Sequence, residues 1–66
     1  MNTYILSIDI NGQTLFLTKD FGYESVPHNA QVFTSIEDAK LFIDGCRLTN
    51  KRPRIYLLPT CEEVNA

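Results

Sequence analysis

One histidine, two cysteines and eight carboxylates are the side chains of this 66-residue chain that could attack a carbonyl, move a proton or hold a metal. Catalysis needs such a group beside a partner that orients it. No pair here stands at a diagnostic spacing. His28 follows Pro27 in a polar stretch and reads as an ordinary exposed imidazole. Cys46 falls on an apolar helical stripe and reads as a buried thiol, with Cys61 in a loose tail. Both read as reduced; a bridge between them stays open, although no secretory context supports it. The two form no C-x-x-C pair, and with one His they fall short of the four ligands of an ordinary zinc site. Gly12, Gly22 and Gly45 are isolated, so no glycine-rich phosphate loop is present. No catalytic residue, cofactor or metal is expected, and the chain reads as a non-enzyme.

Binding asks for less. Up to Cys46 the chain has six acids (Asp9, Asp20, Glu24, Glu37, Asp38, Asp44) and two bases, whereas Arg47, Lys51, Arg52 and Arg54 crowd into eight residues. Such a run can grip phosphates, with Tyr56 and Phe16 as stacking platforms. The plainer reading is a solvated helix end and turn, where bases complement the helix dipole. The net charge of −2 and the lack of a second basic stripe favour the plainer reading, so nucleic acid is not the expected partner.

The elements that would position these groups are marked by turns, caps and periodicity. Asn11-Gly12 suits a type I′ turn, and the alternating flanks TYILSIDI and QTLFLT make a hairpin of it. A two-residue loop pairs Ile10 with Gln13, Ile8 with Leu15 and Leu6 with Leu17. One face then collects Leu6, Ile8, Ile10, Leu15 and Leu17; the other holds Ile5, Ser7, Asp9, Thr14, Phe16 and Thr18. Residues 19–29 read as a loop, and Ala30 to Phe33 as a short strand. Thr34 with Glu37, or Ser35 with Asp38, has the spacing of a helix-capping box. From there Ile36, Ala39, Phe42, Ile43 and Cys46 share one helical sector, while Leu41 falls outside it. The helix should end between Cys46 and Thr49, and Arg54–Leu58 reads as a last strand closed by Pro59.

A chain of 66 residues and 7.5 kDa makes one small domain. Its 44% hydrophobic and 21% charged residues place it among folded globular chains. The expected fold is α+β in the order β-β-β-α-β over residues 1–59, one sheet covered on one face by the helix, with 60–66 a flexible tail. With a right-handed crossover, the last strand should lie beside the first and parallel to it, giving the sheet order 3-2-1-4. The N-terminus lacks a signal-peptide pattern, and no apolar run approaches the roughly 18 residues of a membrane span. A cytoplasmic chain without a membrane partner is expected.

One helix leaves the second sheet face bare. Ile5, Phe16 and either Tyr56 with Leu58 or Ile55 with Leu57 would form an apolar patch there, which Phe21 and Tyr23 in the adjoining loop could extend. Ile5, Phe16, Phe21, Tyr23 and Tyr56 are thus the candidate protein interface, and Arg47, Lys51, Arg52 and Arg54 the candidate basic patch. Aromatic anchors of this kind are typical of binding cores. The expected function is a small protein-binding module. Pairing between copies, by the same face or by the exposed edge of the last strand, is the alternative, and weak nucleic-acid binding through 47–54 comes third.

The stretch Ala30-Gln-Val-Phe-Thr-Ser-Ile-Glu-Asp-Ala-Lys-Leu-Phe-Ile43 resembles a strand-to-helix pattern found in small uncharacterised proteins of phages, prophages and mobile elements. The resemblance implies an accessory protein of the host cytoplasm that binds, and inhibits or redirects, a host protein. It carries over no active-site residue.

Overall fold

Asn11 and Gly12 take φ values of 52° and 81°, the left-handed pair that a type I′ turn requires. The chain therefore folds back tightly between β1 (Thr3–Ile10) and β2 (Gln13–Leu17), with Ile10 opposite Gln13 and Ile8 opposite Leu15 as expected. The computed structural model describes residues 2–58, 60 and 62–64.

The β1–β2 ladder ends at Ser7 opposite Phe16, so the expected Leu6–Leu17 pair is not formed. At that level the Leu17 carbonyl accepts the Gln31 N–H at 2.9 Å, and Tyr4 exchanges bonds of 2.8 and 2.7 Å with Phe33. Residues 30–33, expected as the third strand, thus make single bridges to Thr18 and Tyr4. The third strand is β3 (Tyr23–Glu24), inside the expected loop, where it pairs with Phe16 and Leu17. A 3-10 turn at Pro27–Asn29 follows it.

The helix α1 (Ile36–Gly45) starts where a cap was expected: the Ser35 hydroxyl accepts the Asp38 N–H at 3.1 Å, and the Thr34 hydroxyl donates to the Asp38 carboxylate. Such a cap contributes about 1 kcal/mol. At the other end Arg47 takes φ 54°, its N–H donates to the Asp44 carbonyl, and the Leu48 N–H donates to that of Ile43. This is a Schellman closure with arginine where glycine is usual. Its hydrophobic arm is Leu48, which is buried in the same cluster as Ile43.

The chain passes through a 3-10 turn at Thr49–Lys51 into β4 (Arg54–Leu58), which pairs with β1 with Arg54 opposite Ser7 and Leu58 opposite Thr3. The pairing is antiparallel, which corrects the expected parallel strand. Phe33 delivers the chain to the Tyr4 end of β1, with no strand running back up before the helix. The ten residues of α1 rise about 15 Å, nearly the length of five strand residues at about 3.3 Å each. The helix itself thus carries the chain to the far end, and β4 can only descend. Glu62–Val64, expected in the tail, form β5 along the outer edge of β4. The expected free edge of the last strand is therefore occupied there. Pro59 and Cys61 lie outside the described residues.

The result is an α+β domain: one antiparallel sheet in the order β3-β2-β1-β4-β5 with α1 on one face. The core lies between them, built from Leu6, Ile8, Leu17, Ala39, Ile43, Leu48 and Ile55, with Ile10, Leu15, Ile36 and Phe42 packed against it. Every residue expected on the inner hairpin face is present. Cys46 is the exception on the helix, being exposed rather than buried. It is the C-cap, with φ −96° and ψ 4°, so the helical rotation that would have pointed it inward has already stopped.

Candidate functional site

The five residues expected to form one interface lie on opposite sides of the sheet. Ile5, Phe16 and Tyr56 are on the face turned away from α1, because successive strand residues alternate and their neighbours Leu6, Leu17 and Ile55 lie in the core. Ile5 is only 1% exposed and Ser7 beside it 0%, so β1 is buried on both faces. The cover is aromatic. Phe16 stands opposite Ser7 and Tyr56 opposite Ile5 on the flanking strands, roughly 10 Å apart across β1 by strand spacing. Their ring centroids are 5.9 Å apart, so the two side chains lean together over β1 and roof it. Ile5 is thus a floor residue and leaves the candidate interface. The bare apolar face expected from the sequence is a half-buried aromatic pair set among polar groups.

Under this roof the Ser7 hydroxyl has no hydrogen-bond partner among the described residues, a deficit that costs about 1–3 kcal/mol. Beside it, the Asp9 carboxylate accepts a hydrogen bond from the Thr14 hydroxyl at 3.2 Å and pairs with the Arg54 guanidinium at 3.5 Å. The Tyr56 hydroxyl, by hydrogen bonding, and then the charges of Asp9 and Glu63 raise the Arg54 pKa above its ordinary value. Arg54 is therefore engaged with the sheet and leaves the basic patch. Arg47, Lys51 and Arg52 remain exposed, with Arg47 and Arg52 in left-handed turns.

Phe21 and Tyr23 belong to a different surface. Tyr23 pairs with Leu17 and so faces the helix side; burial first, and the nearby Cys46 thiol second, push its hydroxyl pKa up. Phe21 lies in the turn joining β2 to β3. There the Thr18 carbonyl accepts the Phe21 N–H at 3.0 Å, the Thr18 N–H donates to the Gly22 carbonyl at 2.9 Å, and the Thr18 hydroxyl accepts the Gly22 N–H at 3.0 Å. This closure requires a left-handed residue, and Phe21 supplies it with φ 61°. For a bulky side chain that conformation costs about 1–2 kcal/mol. The residue is 68% exposed, and its ring lies parallel to and offset from that of Phe42, with centroids 6.1 Å apart and planes 8° from parallel, while Phe42 tilts against Phe33 at 5.5 Å.

Phe21, Phe42 and Phe33 therefore make an aromatic cluster where the second turn meets the helix, with Tyr23 on the same side of the sheet. Phe21 and Tyr23 were expected at the surface from the sequence, whereas Phe42 was expected in the core alone. The available signal was the concentration of aromatic residues at 21, 23, 33 and 42, which has no periodicity and becomes one surface only through the fold.

A groove of about 320 Å³ lies on the β4–β5 flank of α1, lined by Lys40, Ile43, Pro53, Arg54, Ile55, Glu63 and Val64. Neither His28 nor Cys46 is among its lining residues. Among the described residues no three His, Cys, Asp or Glu side chains gather as metal ligands, and no helix is long and apolar enough to cross a membrane. Compared with family models, with curated proteins and with solved structures, the chain matches none.

Proposed function

We propose that this chain is a small, non-enzymatic protein-binding module whose contact surface is centred on the Phe21–Phe42 pair, with Tyr23 on the same side of the sheet. Phe21 carries the reading. It stands in a left-handed conformation that glycine adopts without strain, and the residue stays 68% exposed. Strain stored in the backbone is ordinarily offset by burial, but here the ring stacks on Phe42 while most of the residue stays exposed. A partner that covers the exposed part supplies the missing burial, and an aromatic ring held at fixed orientation loses little entropy on contact. A modulator that inhibits or redirects a host protein is the form of this function that the resemblance to small phage and mobile-element proteins implies.

The test is affinity capture from a lysate with the wild-type chain and with Phe21→Asn. Asparagine tolerates the left-handed turn, so the variant removes the ring and keeps the backbone. The expected result is a partner captured by the wild type and lost from the variant. Equal capture of the same partner by both proteins overturns the assignment.

A further inference from the structure

The face turned away from α1 carries charge as well as rings, and register places its members. Glu24, Phe16, Ser7 and Arg54 form one row across β3, β2, β1 and β4, and Ile5, Tyr56 and Glu63 form the next across β1, β4 and β5. The aromatic pair sits in the middle and a carboxylate stands at each lateral edge. Four strand spacings separate Glu24 from Glu63, roughly 19 Å. Both are exposed. A third carboxylate, Asp9, is engaged by Arg54, whose guanidinium also feels the charge of Glu63. Acids therefore outnumber bases here. The fully buried Ser7 hydroxyl beneath the rings has no partner among the described residues.

We propose that this second surface, separate from the Phe21 patch, binds an extended cationic segment of a protein partner. Two arginine or lysine side chains about six residues apart span the distance from Glu24 to Glu63 at roughly 3.3 Å per residue, and the chain between them crosses Phe16 and Tyr56. The rings accept alkyl stems and attract the cationic heads. The molecule shows part of this chemistry internally, because Arg54 pairs with the Asp9 carboxylate on this face. The same charges select against other occupants. Nucleic acid and acidic peptides meet like charge, and a second copy placed face to face brings Glu24 and Glu63 against their own kind.

The probe is a fluorescent peptide of Gly, Ser and Ala bearing two arginines six residues apart. Its controls are the citrulline analogue and a peptide with adjacent arginines. The spaced arginine peptide should bind about tenfold more tightly than the citrulline analogue, lose affinity as salt is raised, and shift the amide resonances of Ser7, Phe16 and Tyr56. Glu24→Gln with Glu63→Gln, both at exposed positions, should reduce that binding about tenfold while leaving the thermal midpoint unchanged. No binding of the spaced peptide at millimolar concentration overturns the proposal, as does equal binding of the citrulline analogue. So do shifts confined to α1 and the Thr18–Gly22 turn. Shifts at the same residues that grow with protein concentration in the absence of peptide assign the face to a second copy and also overturn it.

Discussion

β2 is bounded by two tight turns that differ in the residues they use. At its start, Asn11 and Gly12 occupy left-handed φ values that asparagine and glycine accept readily; at its end, a phenylalanine occupies one although Gly22 is the next residue. The helix repeats the contrast. Its N-terminus is closed by Ser35, a preferred cap, whereas Arg47 holds the left-handed position at its C-terminus. The well-matched sites serve folding. The mismatched ones are where folding alone does not account for the side chain, and of these Phe21 is the one that presents an aromatic ring to solvent.

Substitutions can break or sharpen this contrast. The largest effect is expected for Gly12→Val, which forces a β-branched residue into φ 81° and should destabilise the fold by about 2 kcal/mol. A Cβ there meets nothing within 4 Å, so the loss reports conformation and not a clash. For a domain of this size the thermal midpoint should fall by roughly 10 °C. Next, Ser35→Ala removes the acceptor of the Asp38 N–H and should cost about 1 kcal/mol in urea unfolding. Arg47→Gly should act in the opposite sense, stabilising by about 0.5–1 kcal/mol, because glycine reaches the Schellman position without strain. The smallest change in stability is expected for Phe21→Asn. Relief of backbone strain there opposes loss of the Phe42 stack, each worth about 1 kcal/mol, so the midpoint should hardly move. A large drop in that midpoint would show that Phe21 serves the fold and remove the reason for assigning it to a partner.

Much of the architecture was legible because it is locally encoded. Asn11-Gly12 sets the hairpin register, the Ser35–Asp38 spacing starts the helix, and the stripe from Ile36 to Ile43 identifies the face that packs on the sheet. What escaped depends on distant partners. Tyr23–Glu24 is too short to show alternation, and Glu62–Val64 becomes a strand only because β4 offers an edge. The direction of β4 follows from where Phe33 meets Tyr4, which no local pattern encodes. Ile5 looked outward by alternation, and it does point outward; the lean of Phe16 and Tyr56 across β1 is what buries it. At the candidate site, Phe21 and Tyr23 were identifiable as aromatic residues in a long loop. The strain at Phe21 was not, because Gly22 beside it is the residue that ordinarily takes a left-handed turn position.

The short outer strands bear on how the molecule behaves when crowded. β3 has two residues, and β5 has three, two of them Glu62 and Glu63. Fibril growth needs a long, flat and uncharged border on which another chain can lay down a ladder of hydrogen bonds. Among the described residues, neither border offers that. A protein with an exposed aromatic residue such as Phe21 can thus accumulate without its sheet serving as a template for aggregation.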